Sequence, residues 1–368
     1  MRARIPAVAA AAVCSTFLIS SLAVQPAHAQ VVNLKISNFF PPPSQQSKVV
    51  EAFGQALEAR SGGKIKVQYF AGGSLVQAPA MFKGIESGIT DVGYSHVYYT
   101  PGRMPVSEGV GLPIGMPTGW VGVHVGNDFY EKYKPKEFGG VKVLTLHANG
   151  PSMVITKRPV AKLEDMKGTT IRAPGIAGDI VKALGGTPTP TPMMEVYDSI
   201  AKGVNEGVWG PYEVLKTFRF AEVAKNVTVS WQIGASFPFY LAMNQKSYDG
   251  LSPDLKKVVD SVSAEWVERF AQMWNGIDLD GKVFASEKGV NYIELSPQEA
   301  ARWQKAVEPV IGDWTKTMTG KGFKEAEVKG WIAFMRERIK YWTAKQIEAK
   351  IPSPTGPAEL RPERLGKK

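Results

Sequence analysis

An alternation of strand and helix patterns constrains the fold of this chain more than any other feature. Residues 31–37 alternate as a strand, residues 49–57 place apolar side chains at helical spacing, and residues 64–70 alternate as a half-buried strand. A short helix and another extended segment follow within residues 81–94. Strand, helix and strand in this order are typical of a parallel sheet, so we expect an α/β fold.

A second α/β region is predicted after the turn Asn149-Gly150-Pro151, with strands at residues 153–156 and 170–173. The last third of the chain carries three apolar stripes at helical spacing. A chain of 368 residues is long enough for two domains of about 150 residues each. We expect one α/β domain from residues 30–151 and 239–277, a second from residues 152–238 and 278–350 with long C-terminal helices, and a flexible tail over residues 351–368.

Residues 1–29 have the pattern of a secretory signal peptide. Arg2 and Arg4 precede an apolar stretch, and Ala27-His28-Ala29 matches a small-x-small cleavage site. The apolar run is shorter than the ~20 residues of a membrane span, which disfavours an uncleaved anchor. We therefore expect cleavage near Ala29 and Gln30, and a periplasmic location.

Composition excludes several kinds of site. The single cysteine, Cys14, lies in the predicted signal peptide, so we expect neither disulfides nor thiol catalysis. With four histidines and no other cysteine, a zinc cluster of Cys and His ligands is not expected, nor any other metal. The net charge of +10 is spread without runs of Lys or Arg, which favours small anions and not nucleic acid as the partner.

The sequence lacks the motifs of common enzyme classes. It has no Walker phosphate loop, no His-Glu-x-x-His helix and no Gly-x-Ser-x-Gly elbow. We expect no cofactor and no catalysis. A periplasmic hydrolase or isomerase remains an alternative, and Glu206 with His96 is the acid and base pair that it would use.

Short phrases in a fixed order give the most specific signal. The phrase Lys162-Leu163-Glu164-Asp165-Met166-Lys167-Gly168-Thr169-Thr170-Ile171-Arg172-Ala173-Pro174 is the longest, and the others occupy residues 61–75, 84–92, 112–113, 195–197 and 202–207. Together they resemble the solute-binding proteins of tripartite ATP-independent periplasmic (TRAP) transporters. The resemblance implies two α/β domains joined by hinge strands, a long helix that braces both, and closure over a small carboxylate.

The resemblance also implies a binding role for Arg172, because the arginine of this phrase pairs with the ligand carboxylate in the family. A planar guanidinium offers two parallel N–H donors that match the two oxygens of a carboxylate. Arg172 ends a predicted strand before Pro174 and Gly175, where a loop would carry it into a cleft. The alternative is a surface arginine in a weak ion pair.

Other predicted ligand contacts follow from their positions in the same resemblance. Ser152 stands near the position of a second arginine in relatives that bind sugar acids, so that second cation is missing here. Trp209 stands where the family often has a polar contact, and Met193 where relatives place an aromatic ring. The remaining candidates are His96, Tyr94, Phe39 and Phe237. The alternatives are hinge packing for Trp209, core packing for Met193 and a structural role for His96.

These observations predict a periplasmic solute-binding protein that captures an organic monocarboxylate, with an aromatic or apolar acid favoured. Its expected partners are the ligand and the membrane permease subunits of a TRAP transporter, and it would contact the membrane only through that transporter. A protein that reports its ligand to a sensor kinase is the alternative from another class.

Overall fold

The computed structural model describes residues 31–361. The predicted signal peptide, its cleavage site and residues 362–368 of the predicted tail lie outside the described residues. Among residues 31–361, no helix is both long enough and apolar enough to span a bilayer.

Eleven strands within residues 31–361 form two mixed sheets. They are β1 Val32–Asn38, β2 Ile65–Phe70, β3 Val92–His96, β4 Val141–Ala148, β5 Met153–Thr156, β6 Thr170–Arg172, β7 Thr187–Thr189, β8 Gly207–Gly210, β9 Asn226–Val229, β10 Pro238–Asn244 and β11 Asn291–Glu294. The first sheet has the order β2-β1-β3-β10-β4, and the second has the order β11-β9-β5-β8-β6-β7.

Eleven α-helices within the same residues cover the sheets. They are α1 Gln45–Arg60, α2 Met81–Glu86, α3 Pro105–Glu108, α4 Gly119–Tyr133, α5 Ile176–Ala183, α6 Val196–Ala201, α7 Val214–Thr217, α8 Gln245–Asp249, α9 Pro253–Glu287, α10 Pro297–Gly320 and α11 Glu325–Glu348. This mixed α/β architecture confirms the predicted fold class. We call the first sheet with its helices the first half, and the second sheet with its helices the second half.

The predicted strand, helix and strand unit is β1, α1 and β2. Ser44 caps α1 by accepting a hydrogen bond from the Ser47 amide, and the prolines before it keep the preceding chain out of the helix. The apolar face of α1 is buried at Val50, Phe53 and Leu57. Strands β1 and β2 pair in parallel, as the pattern predicted.

The chain passes from one sheet to the other through two short connections, and these connections lie side by side. The connection after β4 and the connection before β10 share backbone hydrogen bonds, from Asn149 N to Phe237 O at 3.2 Å and from Ser152 N to Ala235 O at 2.8 Å. They match the hinge strands that the family resemblance implies. The domain boundaries themselves stay a prediction.

Helix α9 braces both halves. Its 35 residues span about 52 Å. Trp266 Nε1 donates to Val49 O on α1 at 2.8 Å, in the first half. Farther along α9, Asp278 Oδ1 accepts from the Glu213 amide at 2.9 Å, in the second half.

The prediction of a flexible tail is wrong for residues 351–361. Ser353 to Gly356 are buried, and Leu360 is 1% exposed. Asn275 Nδ2 of α9 donates to Pro352 O at 2.6 Å, and Thr355 Oγ1 donates to Pro117 O at 2.7 Å. The segment follows the body of the protein because neighbouring elements satisfy its polar groups.

Candidate functional site

Among residues 31–361, Arg172 is a buried cation without a carboxylate partner. It ends β6 and is 1% exposed. Its Nε donates to Thr191 O at 2.9 Å, and its Nη2 donates to the Tyr99 hydroxyl at 3.1 Å. No acidic oxygen of residues 31–361 lies within 4.0 Å of its guanidinium nitrogens.

The buried charge of Arg172 destabilises the folded protein when no ligand is bound. A buried charge without an ion-pair partner has lost its hydration and gained only neutral hydrogen bonds. Burial lowers the pKa of Arg172, and the hydrogen bond with Tyr99 opposes that shift. Because a guanidinium stays protonated in proteins, the site keeps a positive charge that an anion can neutralise.

His96 presents a second donor beside this cation. Its Nδ1 accepts a hydrogen bond from the Tyr98 amide at 2.9 Å, while its buried Nε2 has no hydrogen-bond partner among the described residues. Burial, and then the charge of Arg172, lower the pKa of His96 well below its ordinary value. The ring is therefore neutral at neutral pH, and Nε2 carries the free hydrogen.

Both groups line one small cavity between the two halves. The volume of this cavity is about 20 Å³, which leaves room for about one water molecule. An aromatic acid can enter only if the halves separate or the rings move. The cavity is lined by Phe39, Phe40, His96, Tyr99, Asn149, Arg172, Met193, Pro211, Glu213, Val214, Phe218, Phe237 and Phe239.

A row of rings follows one side of the cavity, and we call it the aromatic row. It consists of Tyr99, Phe39, Phe40 and Phe218. Ring centroids are 5.6 Å apart between Tyr99 and Phe39, 4.2 Å between Phe39 and Phe40, and 6.2 Å between Phe40 and Phe218. The row begins at the hydroxyl that contacts Arg172 and ends in the segment of α7.

Five of the eight ligand contacts predicted from the sequence line this cavity, and they come together from both halves. They are Arg172, His96, Met193, Phe39 and Phe237. Met193 also donates its amide to the Tyr99 hydroxyl at 3.1 Å. The centroid of the Phe237 ring lies 5.9 Å from the Arg172 guanidinium.

The other three predicted contacts lie elsewhere. Trp209 is 1% exposed in β8, and its neighbour Val208 is the register partner of Arg172, so strand alternation turns Trp209 to the opposite face of the sheet. Tyr94 lies in the core of the first half, where its ring stacks on Phe40. Ser152 is fully buried at the hinge and has no side-chain partner among the described residues.

The sequence prediction missed several lining residues. Phe40 follows the predicted Phe39, and Tyr99 lies three residues beyond His96. Phe40 lies just after the end of β1, and Tyr99 lies just after the end of β3, which runs parallel to β1. Ligands bind at such strand ends, and this position is the signal that could have identified both residues. Glu213 lies three residues after the end of β8 and has the same signal, whereas Phe218 follows the four-residue helix α7 and has none.

The acid and base pair of the enzyme alternative is not assembled here. Glu206 does not line the cavity, and its carboxylate lies 3.6 Å from Arg158 Nε. Within residues 31–361, the structure has no group of three or more His, Cys, Asp or Glu side chains that could hold a metal ion.

A larger groove of about 820 Å³ between the halves is less suited to an anion. Its charged lining residues are Glu108, Asp179, Asp313 and Lys182, so acids outnumber bases. Burial raises the pKa of Glu108 to about 7. The smaller cavity around Arg172 is therefore the candidate binding site, despite its size.

Comparison with known proteins identifies the family of this chain. The sequence model of the family "Bacterial extracellular solute-binding protein, family 7" matches residues 36–317. A TRAP periplasmic solute-binding protein from Desulfovibrio salexigens is 33% identical with a TM-score of 0.73, over 84% of this chain and 96% of that one.

Two further relatives differ in what they bind. A TRAP solute-binding protein from an unidentified marine microbe, specific for aromatic acid ligands and solved with 3-hydroxybenzoate, is 25% identical with a TM-score of 0.79, over 85% of this chain and 99% of that one. The 2,3-diketo-L-gulonate-binding periplasmic protein of Escherichia coli is 28% identical over 60% of this chain and 68% of its own length. The chain belongs to family 7 of the bacterial extracellular solute-binding proteins, the solute-binding family of TRAP transporters.

Proposed function

We propose that this protein captures an organic monocarboxylate in the periplasm, favours an aromatic or otherwise apolar acid, and delivers it to a TRAP membrane permease. The observation that carries the proposal is Arg172, a buried guanidinium that has no carboxylate partner among residues 31–361 and faces a cavity lined with rings. Its function would be binding without catalysis.

The carboxylate of the ligand would take the place of the missing counter-ion. Two oxygens of a carboxylate can accept parallel hydrogen bonds from the Arg172 guanidinium, and the His96 Nε2 hydrogen offers one more. The Tyr99 hydroxyl accepts from Arg172 and from the Met193 amide, which leaves its own hydrogen free to donate.

The lining favours a flat apolar body over a sugar. A sugar acid would place several hydroxyl groups against phenylalanine rings, where they would lose hydrogen bonds to water without replacement. The marine relative that is specific for aromatic acids supports this choice, whereas the diketogulonate-binding relative is the precedent for a sugar-derived acid.

Binding would be coupled to closure of the two halves. In this structure the site residues of both halves already touch, through the hydrogen bond between Arg172 and Tyr99. A ligand that bridges the halves stabilises the closed arrangement by its differential affinity for it. The closed form is then the form that a permease would recognise.

Thermal unfolding against a ligand panel tests the proposal. The mature protein, unfolded and refolded to remove any bound ligand, is heated with benzoate, 3-hydroxybenzoate, mandelate, succinate and glucuronate. A ligand at 100 times its dissociation constant adds about 2.7 kcal/mol of stability, which raises Tm by a few degrees in a protein of this size. We expect shifts with the aromatic acids, and calorimetric titration then gives their affinities.

Two results would contradict the proposal in different ways. Shifts confined to succinate or glucuronate would refute the aromatic preference but keep the role in solute binding. The absence of a shift with every acid of this and a wider carboxylate panel would refute the role itself.

A further inference from the structure

A buried carboxyl lines the same cavity as Arg172. Glu213 is 3% exposed and belongs to the segment between β8 and α7. It is not ion-paired with Arg172, since no acidic oxygen of the described chain lies within 4.0 Å of that guanidinium. A cation and a carboxyl thus share one cavity without neutralising each other.

The two groups adjoin opposite ends of the aromatic row. Arg172 contacts Tyr99, where the aromatic row begins, and its charge acts on His96. Glu213 precedes α7, and Phe218, the last ring of the row, directly follows that helix. The row of rings therefore leads from the cationic end to the carboxyl end.

Two contacts to its carboxyl and one to its backbone fix Glu213 in place. Its Oε2 accepts a hydrogen bond from Gln46 Nε2 of the first half at 2.9 Å. Its backbone amide is fixed by Asp278 of α9. Burial raises its pKa to about 7, and hydrogen bonds with Thr217 and Gln46 oppose only part of that shift. A group that is buried, fixed and poorly solvated gains from any further hydrogen-bond donor that reaches it.

We infer that Glu213 is a specificity-determining residue, which selects acids that carry a hydrogen-bond donor, such as a hydroxyl group, on the ring away from the carboxylate. This inference rests on the proposed function, because it needs the ligand carboxylate at Arg172. The ring lies along the aromatic row, its carboxylate is held by Arg172, and its hydroxyl hydrogen is donated to the Glu213 carboxyl. An acid without that donor leaves Glu213 buried with one partner fewer.

Calorimetric titration of the refolded, full-length mature protein tests the inference with matched ligands. Benzoate provides the carboxylate alone, 3- and 4-hydroxybenzoate add a donor, and 3- and 4-methoxybenzoate keep the oxygen without its hydrogen. We expect at least one hydroxybenzoate to bind about tenfold or more tightly than benzoate and than its methoxy analogue. Equal affinities for the hydroxy, methoxy and unsubstituted acids would overturn the inference.

Variants of Glu213 then separate selection from a structural role. In Glu213→Met, which removes the acceptor, we expect the affinity for the hydroxybenzoate to fall further than the affinity for benzoate, so that the preference between them drops below about twofold. Glu213→Gln keeps one acceptor oxygen and should retain part of the preference. The exposed Glu327→Gln is the matched control and should retain all of it.

The outcomes distinguish this inference from the proposed function. A parallel loss of benzoate and hydroxybenzoate in both Glu213 variants would assign the residue to structure alone and overturn the inference. If the Met variant does not fold, the comparison of hydroxy and methoxy acids on the parent protein still decides. Failure of all five acids to bind the parent protein would refute the proposed aromatic ligand, and the inference with it, whereas binding of benzoate without a gain from the hydroxyl would refute the inference alone.

Discussion

The two halves of the molecule contribute different chemistry to one cavity. The second half supplies the cation and the carboxyl. Arg172 comes from the end of β6, and Glu213 comes from the segment after β8. The first half and the hinge supply most of the rings, of which Phe39, Tyr99 and Phe237 are examples. Neither half alone lines the whole cavity.

This division explains why closure and binding would be coupled. In an open protein the second half can attract a carboxylate, but its oxygens still compete with water. When the first half brings its rings over the ligand, water leaves and the charged hydrogen bonds strengthen in the lower dielectric. Removing the charge should therefore be more damaging than removing a ring.

The largest expected effect is that of Arg172→Met on affinity. Loss of the guanidinium leaves the ligand carboxylate without its partner, so we expect the affinity for the best acid of the panel to fall by about 2–5 kcal/mol. Calorimetric titration measures it, with the exposed Arg336→Met as control. Affinity that stays within a few-fold of the parent would refute the role of Arg172.

The same variant should have the opposite effect on the empty protein. Arg172 is a buried charge without an acidic partner in the described chain, so replacing it with an apolar side chain of similar length should raise the free energy of unfolding in the absence of ligand. Urea unfolding measures this. A lower stability of Arg172→Met would mean that the hydrogen bonds to Thr191 and Tyr99 outweigh the cost of burying the charge.

The free energy of unfolding should also depend on pH through the Glu213 carboxyl. Its pKa is about 7 in the folded protein against an ordinary value of 4.5, so the folded state holds the proton more tightly. Stability from this carboxyl is therefore complete below pH 4.5 and is lost as pH rises through about 7, by an amount on the order of 3 kcal/mol.

Urea unfolding of the parent and Glu213→Gln across pH 5 to 8 isolates this contribution. Glu108, whose pKa is also raised to about 7, is present in both proteins and cancels in the difference. We expect the parent to lose more stability than the variant over this range. Identical pH dependences would show that Glu213 does not titrate with a raised pKa.

A smaller effect is expected from the wall of the first half. Phe39 is 3% exposed and stacks on Phe40. Phe39→Leu keeps an apolar surface but removes ring contacts, which should weaken benzoate by about 1 kcal/mol and cyclohexanecarboxylate by less. Titration with both acids makes the comparison, and an equal loss for both would mean that the ring geometry of the wall is unimportant.

The smallest expected effect on binding is that of Trp209→Phe. Trp209 is buried in β8 away from the cavity, so affinity should stay within about twofold while the protein loses about 1–2 kcal/mol of stability. Titration and urea unfolding of the same variant measure both. A tenfold loss of affinity with unchanged stability would restore Trp209 as a ligand contact.

Local patterns predicted much of the fold. Strand β5 begins and ends at the residues that the pattern indicated, and the three C-terminal stripes form α9, α10 and α11. These elements depend on periodicity, which a single segment contains. The packing of the segment after α11 cannot be read from periodicity. It depends on hydrogen bonds with Asn275 and Pro117, which lie more than 70 positions away in the chain.

The candidate site was predictable only in part for the same reason. Arg172 was identified because it lies within a continuous phrase. The face occupied by Trp209 depends on the register of β8 against β6, which the sequence alone does not reveal. Phe218 lines the cavity from the residue after the four-residue helix α7, a helix too short to leave a clear periodic pattern in the sequence.

Titration of the parent protein with an acid that it binds and with the neutral amide of that acid isolates the role of the Arg172 charge. Benzoate and benzamide have nearly the same shape, and they differ in the charge that Arg172 is expected to neutralise. We expect benzamide to bind at least about 30-fold more weakly, since it loses a charge-assisted pair and leaves a buried cation unpaired. Equal affinity for benzoate and benzamide would mean that the buried guanidinium has no part in recognising the ligand, and would rule out Arg172 as the carboxylate partner.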